Sequence, residues 1–249
     1  MVLLSPIMGT VAQKGKSTLL EVTFREDFLV FSSHQKELIE NTIRNSEERL
    51  RFLLPTLPDT IHITISLVDW DLEIVGGVSG RSDAHTPVGE VILWLSHSHP
   101  GGIDAAVEAG LISAIYHEFH HLARGWTIRN NRFGPGIPIA AVNEGLAVVF
   151  AEVYTGKKEE GNQYPDSVQS WVKEILELPL DADYQQWVSG YHPDGRSFIG
   201  YRAGNYVIRT AMQRSGKDIL ELSELSPDAI LGTAGYSMKS GQAMSPKRE

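Results

Sequence analysis

The chain has 249 residues, 42% of them hydrophobic, and a formal net charge of −9, so it can bury a substantial core as one domain or a small pair of lobes. The negative balance leaves no basic footprint for nucleic acid or an anionic membrane. The absence of cysteine excludes disulfides and thiolate ligands and fits a reducing compartment.

The opening MVLLSPIMGTVAQKG lacks the basic start and the long apolar run of a signal peptide. No apolar stretch reads as membrane-spanning. A cytoplasmic location is the expectation. Leu19 to Phe31 then reads as a strand or hairpin. Ser32 or Ser33 caps a helix that runs to about Leu54, where Pro55 ends it. Ile61, Ile63, Ile65 and Leu67 alternate with His62, Thr64 and Ser66, the pattern of a strand with one buried face. Val88 to Ser96 (VGEVILWLS) is a further strand.

Past Gly110 the period becomes helical. With His117 at 0°, Leu111, Ile112, Ile115, Phe119 and Leu122 fall between about 120° and 220°, a single apolar stripe. Gly110 and Ala114 fall near His117 and leave that face open, and Gly125 supplies the stop. Asn130 to Gly136 (NNRFGPG) is a loop and the boundary between two lobes. Ile137 to Phe150 (IPIAAVNEGLAVVF) is apolar except for Asn143 and Glu144, as a buried helix would be. Helices follow at Pro165 to Leu176 and Phe198 to Gln213, with a short one opened by Ser226-Pro227-Asp228. The polar segment from Gly232 to the end, 232–249, reads as a mobile tail. The chain is thus an α+β lobe over 19–125 leading into a mainly helical lobe over 137–231, together one domain within 1–231.

The chemistry lies in His117-Glu118-Phe119-His120-His121. On a helix His117 and His121 share a face with Cβ atoms about 5–6 Å apart, which suits two imidazoles on one zinc ion. Glu118 sits on the neighbouring flank, where it can act on a water as general base without being a ligand. His120 projects to the side of His117 away from Glu118, so it is read as supporting or substrate-facing rather than as a ligand. A lone carboxylate in the buried helix at Glu144 would bear a large desolvation cost unless paired or bound to metal. Glu144 is therefore the third zinc ligand, and an ion pair with Arg124 or Arg132 is its bland alternative. Two histidines, one carboxylate and a water make a catalytic zinc site. His34, His62, His85, His97 and His99 read as ordinary surface or loop residues.

The strings YHEFHHLARG (Tyr116 to Gly125), VNEGLA (Val142 to Ala147) and GYRAGNYVI (Gly200 to Ile208) resemble the YjaZ-like predicted zinc-dependent proteases, whose metal site is of the gluzincin type, similar to thermolysin. The resemblance runs from about Gly76 to Leu231. It implies a zincin-like fold, His117, His121 and Glu144 as ligands of Zn2+, and Glu118 as base. Val148 departs from the thermolysin pattern, in which an Asp at that place orients the first histidine, so the partner of His117 is unassigned. Zincins set a sheet edge beside the metal helix, to which an extended peptide adds by backbone hydrogen bonds. Glu90 to Leu95 is the candidate edge, an interior position being equally compatible with its sequence.

The expected activity is zinc-dependent hydrolysis of a peptide or protein substrate, with Glu118 taking a proton from water and passing it to the leaving amine. A developing oxyanion needs a further donor. Tyr201 in GYRAG is the first candidate, with Tyr191 and His192 behind it. The competing readings are a non-catalytic metal-binding regulatory module on the same fold and a zinc hydrolase of non-peptide substrates. An intact Glu118 argues against the first, while fold resemblance leaves the second open.

Overall fold

A computed structural model describes residues 18–27 and 29–238. The opening segment 1–17 and the last residues 239–249, which include most of the expected tail, lie outside the described residues. Four strands form one mixed sheet in the order β1-β2-β4-β3. β1 (Leu19–Arg25), β2 (Thr60–Val68) and β4 (Gly89–Ser96) run parallel, and β3 (Val78–Ala84) is antiparallel to β4. Parallel neighbours cannot be joined by a tight turn, and helix α1 (Ser33–Leu53) makes the crossover from β1 to β2. Ser32 opens it with a reciprocal cap: its hydroxyl accepts from the Gln35 amide while the Gln35 side chain accepts from its own amide. The strand foreseen over Leu19 to Phe31 stops at Arg25, and Phe31 folds back edge-on to Phe24 with ring centroids 5.1 Å apart.

The structure corrects the edge assignment. Glu90 to Leu95 lies inside the sheet, paired with β2 on one side and β3 on the other. Its near-continuous apolar run is that of an interior strand, with Val91, Leu93 and Leu95 buried. The edge beside the helix of His117 and His121 is β3, whose sequence VSGRSDA carries no alternating apolar signal and whose register shifts between Ser82 and Ala84. The far end of this edge is already covered, because the amides of Ile128 and Arg129 donate to the Ser82 and Asp83 carbonyls at 3.1 and 2.9 Å.

The helix that carries His117 and His121 is longer than its apolar stripe suggests. It starts with α2 (Gly102–Ala106), passes through a π-helical turn at Val107–Leu111 and continues as α3 (Ile112–Arg124) to a left-handed Gly125. Gly110 has no room for a side chain, since a Cβ there would lie 2.6 Å from the Gly76 carbonyl oxygen. Helix α4 (Ile137–Thr155) has 19 residues and, unlike the shorter stretch read from the sequence, is long and apolar enough to cross a membrane. It is nevertheless a core helix, buried for most of its length between α3 and α6 (Ile199–Ser215). Its backbone touches that of α6: a Cβ on Gly204 would lie 1.9 Å from the Ala141 carbonyl oxygen, and one on Gly145 would lie 2.2 Å from the Gly204 carbonyl carbon. Helices α5 (Val168–Leu176), α7 (Ile219–Ser223) and α8 (Pro227–Ala234) complete the helical half. Helix α8 continues past Gly232, with Ala234 buried.

Candidate metal centre

Helix α3 presents His117 and His121 one turn apart, and α4 crosses it so that Glu144 meets both. The two Nε2 atoms are 2.9 Å apart, and Glu144 Oε2 lies 3.2 Å from His117 Nε2 and 3.0 Å from His121 Nε2. Glu144 is 4% exposed, and among the described residues no lysine or arginine pairs with it. Bonds of about 2.0–2.1 Å give a tetrahedral zinc site an edge of about 3.3 Å, close to these separations. With both imidazoles neutral and protonated at Nδ1, their Nε2 atoms and Glu144 Oε2 converge as the ligands of one divalent cation would. The residues therefore fit zinc.

Burial opposes ionisation of Glu144, but the His121 charge and hydrogen bonds from both imidazoles hold its carboxyl well below the ordinary range. Arg124, the alternative partner, is taken elsewhere. Its guanidinium donates to Asn143 Oδ1 at 2.6 Å and to the carbonyls of Ser223 and Leu225. Adjacent residues of α4 thus serve opposite purposes, Asn143 receiving the arginine and Glu144 facing the histidines.

Glu118 is 4% exposed and packed against β3. The Ser82 hydroxyl is 2.9 Å from its Oε2 and 2.8 Å from its backbone carbonyl oxygen. Gly80 leaves the space for it, since a Cβ there would come within 2.9 Å of Glu118 Cγ. Burial raises the Glu118 carboxyl to about 7, with the Glu144 charge adding to the rise and His117 and Ser82 opposing it. A carboxylate poised near neutrality can take and return a proton.

Two cavities meet at this carboxylate. The larger, about 860 Å³, carries Glu118, His121, Trp126, Glu144, Tyr184 and Tyr201 on its wall. The smaller, about 240 Å³, follows the open helix face of Gly110, Ala114 and His117. Tyr201 belongs to both walls, with its ring stacked 5.8 Å from that of His117. Burial, then the Glu144 charge, raises its hydroxyl well above the usual tyrosine range, so it stays a proton donor.

The structure thus brings together His117, Glu118, His121, Glu144 and Tyr201. It sets His192 apart in a turn, with Nδ1 2.8 Å from Asp194 and its ring against Trp187, on neither cavity wall. Tyr191 is exposed at the rim of the smaller cavity. His120 is fully buried on the other side of α3, with Nε2 2.8 Å from Ser223 Oγ, which makes it a supporting residue and not a substrate-facing one. No described side chain bonds to His117 Nδ1, and His121 Nδ1 is buried without a protein partner.

Sequence reasoning missed Ser82, Gly80, Trp126 and Tyr184. The Trp126 indole N–H and the Tyr184 hydroxyl donate to Glu144 Oε1 at 3.0 and 2.9 Å. Trp126 follows the helix stop, Tyr184 precedes a π-helical turn at Gln185–Ser189, and Ser82 lies in a strand without periodicity. The one signal that could have found Trp126 is its place directly after Gly125, where the chain leaves the metal helix.

A family model described as "Predicted Zn-dependent protease (DUF2268)" matches residues 40–232. No curated protein and no solved structure matches the chain.

Proposed function

The chain belongs to this family of predicted Zn-dependent proteases, and from that premise we propose that it is a zinc-dependent hydrolase, specifically a metallopeptidase of the zincin type. The observation that carries the reading is the convergence of His117, His121 and Glu144 at 2.9–3.2 Å beside a buried, independently held Glu118.

Zinc held by these three side chains would supply Lewis acidity, making a water acidic and the scissile carbonyl more electrophilic. Glu118 takes the proton of the attacking water and returns it to the leaving amine. Ser82 fixes one carboxylate oxygen of Glu118, leaving Oε1 for that exchange. Tyr201, protonated and next to His117, donates to the oxyanion that develops on the substrate. The free part of the β3 edge, around Ser79 to Arg81, borders the larger cavity and suits an extended peptide. A purely structural metal site has no use for a base held in this way.

The decisive variant is Glu118→Gln, which keeps size and hydrogen bonding but cannot accept a proton. Zinc content stays near one per chain while cleavage in a broad peptide library falls by at least about a hundredfold. Near-normal turnover by the Gln variant would end the mechanism.

A further inference from the structure

We propose that Trp126 and Tyr184 act together as a clamp on Glu144 that commits it to the metal through Oε2 alone. The inference rests on the zinc-site reading above and adds two positioning residues to it. The two oxygens of Glu144 have separate surroundings. Oε2 faces the Nε2 atoms of His117 and His121, at 3.2 and 3.0 Å. Oε1 receives Trp126 Nε1–H at 3.0 Å and Tyr184 Oη–H at 2.9 Å. A carboxylate oxygen offers two lone-pair positions. Both at Oε1 are taken, so none is left there for a cation.

The donors are suited to a permanent role. An indole N–H can only donate, so in this half-buried place it needs an acceptor, and Glu144 is the one it finds. Tyr184 approaches the same oxygen through its hydroxyl, Oη 2.9 Å from Oε1. The two approach from different parts of the chain. Trp126 is anchored to the metal helix, its amide donating to the His121 carbonyl at 3.0 Å. The C-terminal end of α3 therefore sets His121 and, through the residues just beyond it, the donor that orients Glu144. Tyr184 comes from the segment entering the π-helical turn at Gln185–Ser189 and forms part of the cleft wall.

The chemical consequence concerns coordination number. A carboxylate that binds through one oxygen fills one position where a bidentate one fills two. The position it spares is available to a water or a substrate oxygen in the cleft that Glu118 lines. Partners that orient a ligand commonly change metal affinity by about 10–100-fold when removed.

The test uses the full-length protein, stripped of metal and titrated with zinc against a competing chelator, with Trp126→Phe, Tyr184→Phe and the double variant beside it. Each single variant should bind zinc about tenfold more weakly, and the double variant about a hundredfold. In cobalt(II)-loaded protein the visible absorption of the double variant should lose intensity, as Glu144 swings to bidentate binding and a four-coordinate ion becomes five-coordinate. Metal-free Tyr184→Phe should still melt in one cooperative transition, lowered only by the loss of one hydrogen bond, so a weaker affinity in that variant cannot come from misfolding. Wild-type affinity and an unchanged cobalt spectrum in the double variant would overturn the clamp. Should Trp126→Phe fail to fold, Tyr184→Phe decides alone: tenfold weaker binding supports the clamp and unchanged binding refutes it. Wild-type protein that takes up no zinc would instead refute the site reading, and the clamp with it.

Discussion

On one side of α3, Arg124 and the Nε2 of His120 are buried against protein partners, while His120 Nδ1 is buried without one. His120 Nε2 meets Ser223 Oγ at 2.8 Å, and Arg124 reaches Asn143 and two carbonyls around the end of α7. Burial keeps the His120 ring neutral by lowering its pKa well below the usual histidine value. On the other side, one residue along, His121 joins His117 and Glu144 in a group whose ligand atoms converge closely enough to hold a metal ion. Burying polar groups is tolerable when donors and acceptors match. The first cluster meets part of that condition with protein atoms, while the second, on the proposed reading, meets it with a cation. Neighbouring histidines of one string are thus separated by the partner that each side chain meets.

The strongest way to break this contrast is to remove the carboxylate from the open cluster. Glu144→Ala should weaken zinc binding by more than the ~10–100-fold expected for a supporting residue, as read by metal analysis after dialysis. Full zinc content in that variant would remove Glu144 from the site. A smaller effect sharpens the division of labour within the cleft. Tyr201→Phe takes away the proposed donor to the developing oxyanion, so kcat should drop roughly 10²-fold with little change in KM or zinc. Unchanged kcat would leave Tyr201 as a packing residue.

The smallest effect is electrostatic and belongs to the metal-free protein. The folded Glu118 carboxyl sits near 7, above its ordinary value of 4.5. Its contribution to stability is therefore complete below pH 4.5 and lost as pH rises through about 7. Gln has no such dependence. Metal-free Glu118→Gln should melt on the order of 5 °C higher than metal-free wild type at pH 8, with the gap closing towards pH 5. A gap that does not change with pH would mean that burial of Glu118 does not shift its ionisation.

Much of this contrast is legible in the string itself. Helical spacing puts His117 and His121 on one face and His120 on another, and the desolvation cost of a carboxylate in an apolar helix singles out Glu144. What the string cannot show is whatever depends on segments distant along the chain. Ser82 reaches Glu118 from a strand recognisable only by its pairing with β4. Tyr184 arrives from a stretch with no helical or strand period. The edge strand was misplaced because VILWL reads as a strand with equal force in the middle of a sheet or at its rim, and pairing alone decides. Val148 marks where a thermolysin-like partner for the first histidine is missing, while Trp126 and Tyr184 donate to Glu144 instead. The strings that carry the family resemblance also have a packing role. Gly204 of GYRAGNYVI lets α6 touch α4, which brings Tyr201 beside His117.

The two neighbouring histidines offer the most direct measurement. Zinc per chain should be determined by elemental analysis for purified wild type, His120→Ala and His121→Ala, each checked for folding by its melting curve. Wild type and His120→Ala should both carry about one zinc, the latter with about 1–3 kcal/mol less stability from the lost Ser223 contact, whereas His121→Ala should be largely metal-free. Equal zinc content in the two variants, or zinc lost from His120→Ala and kept in His121→Ala, would contradict the assignment of the metal to the face of His117, His121 and Glu144.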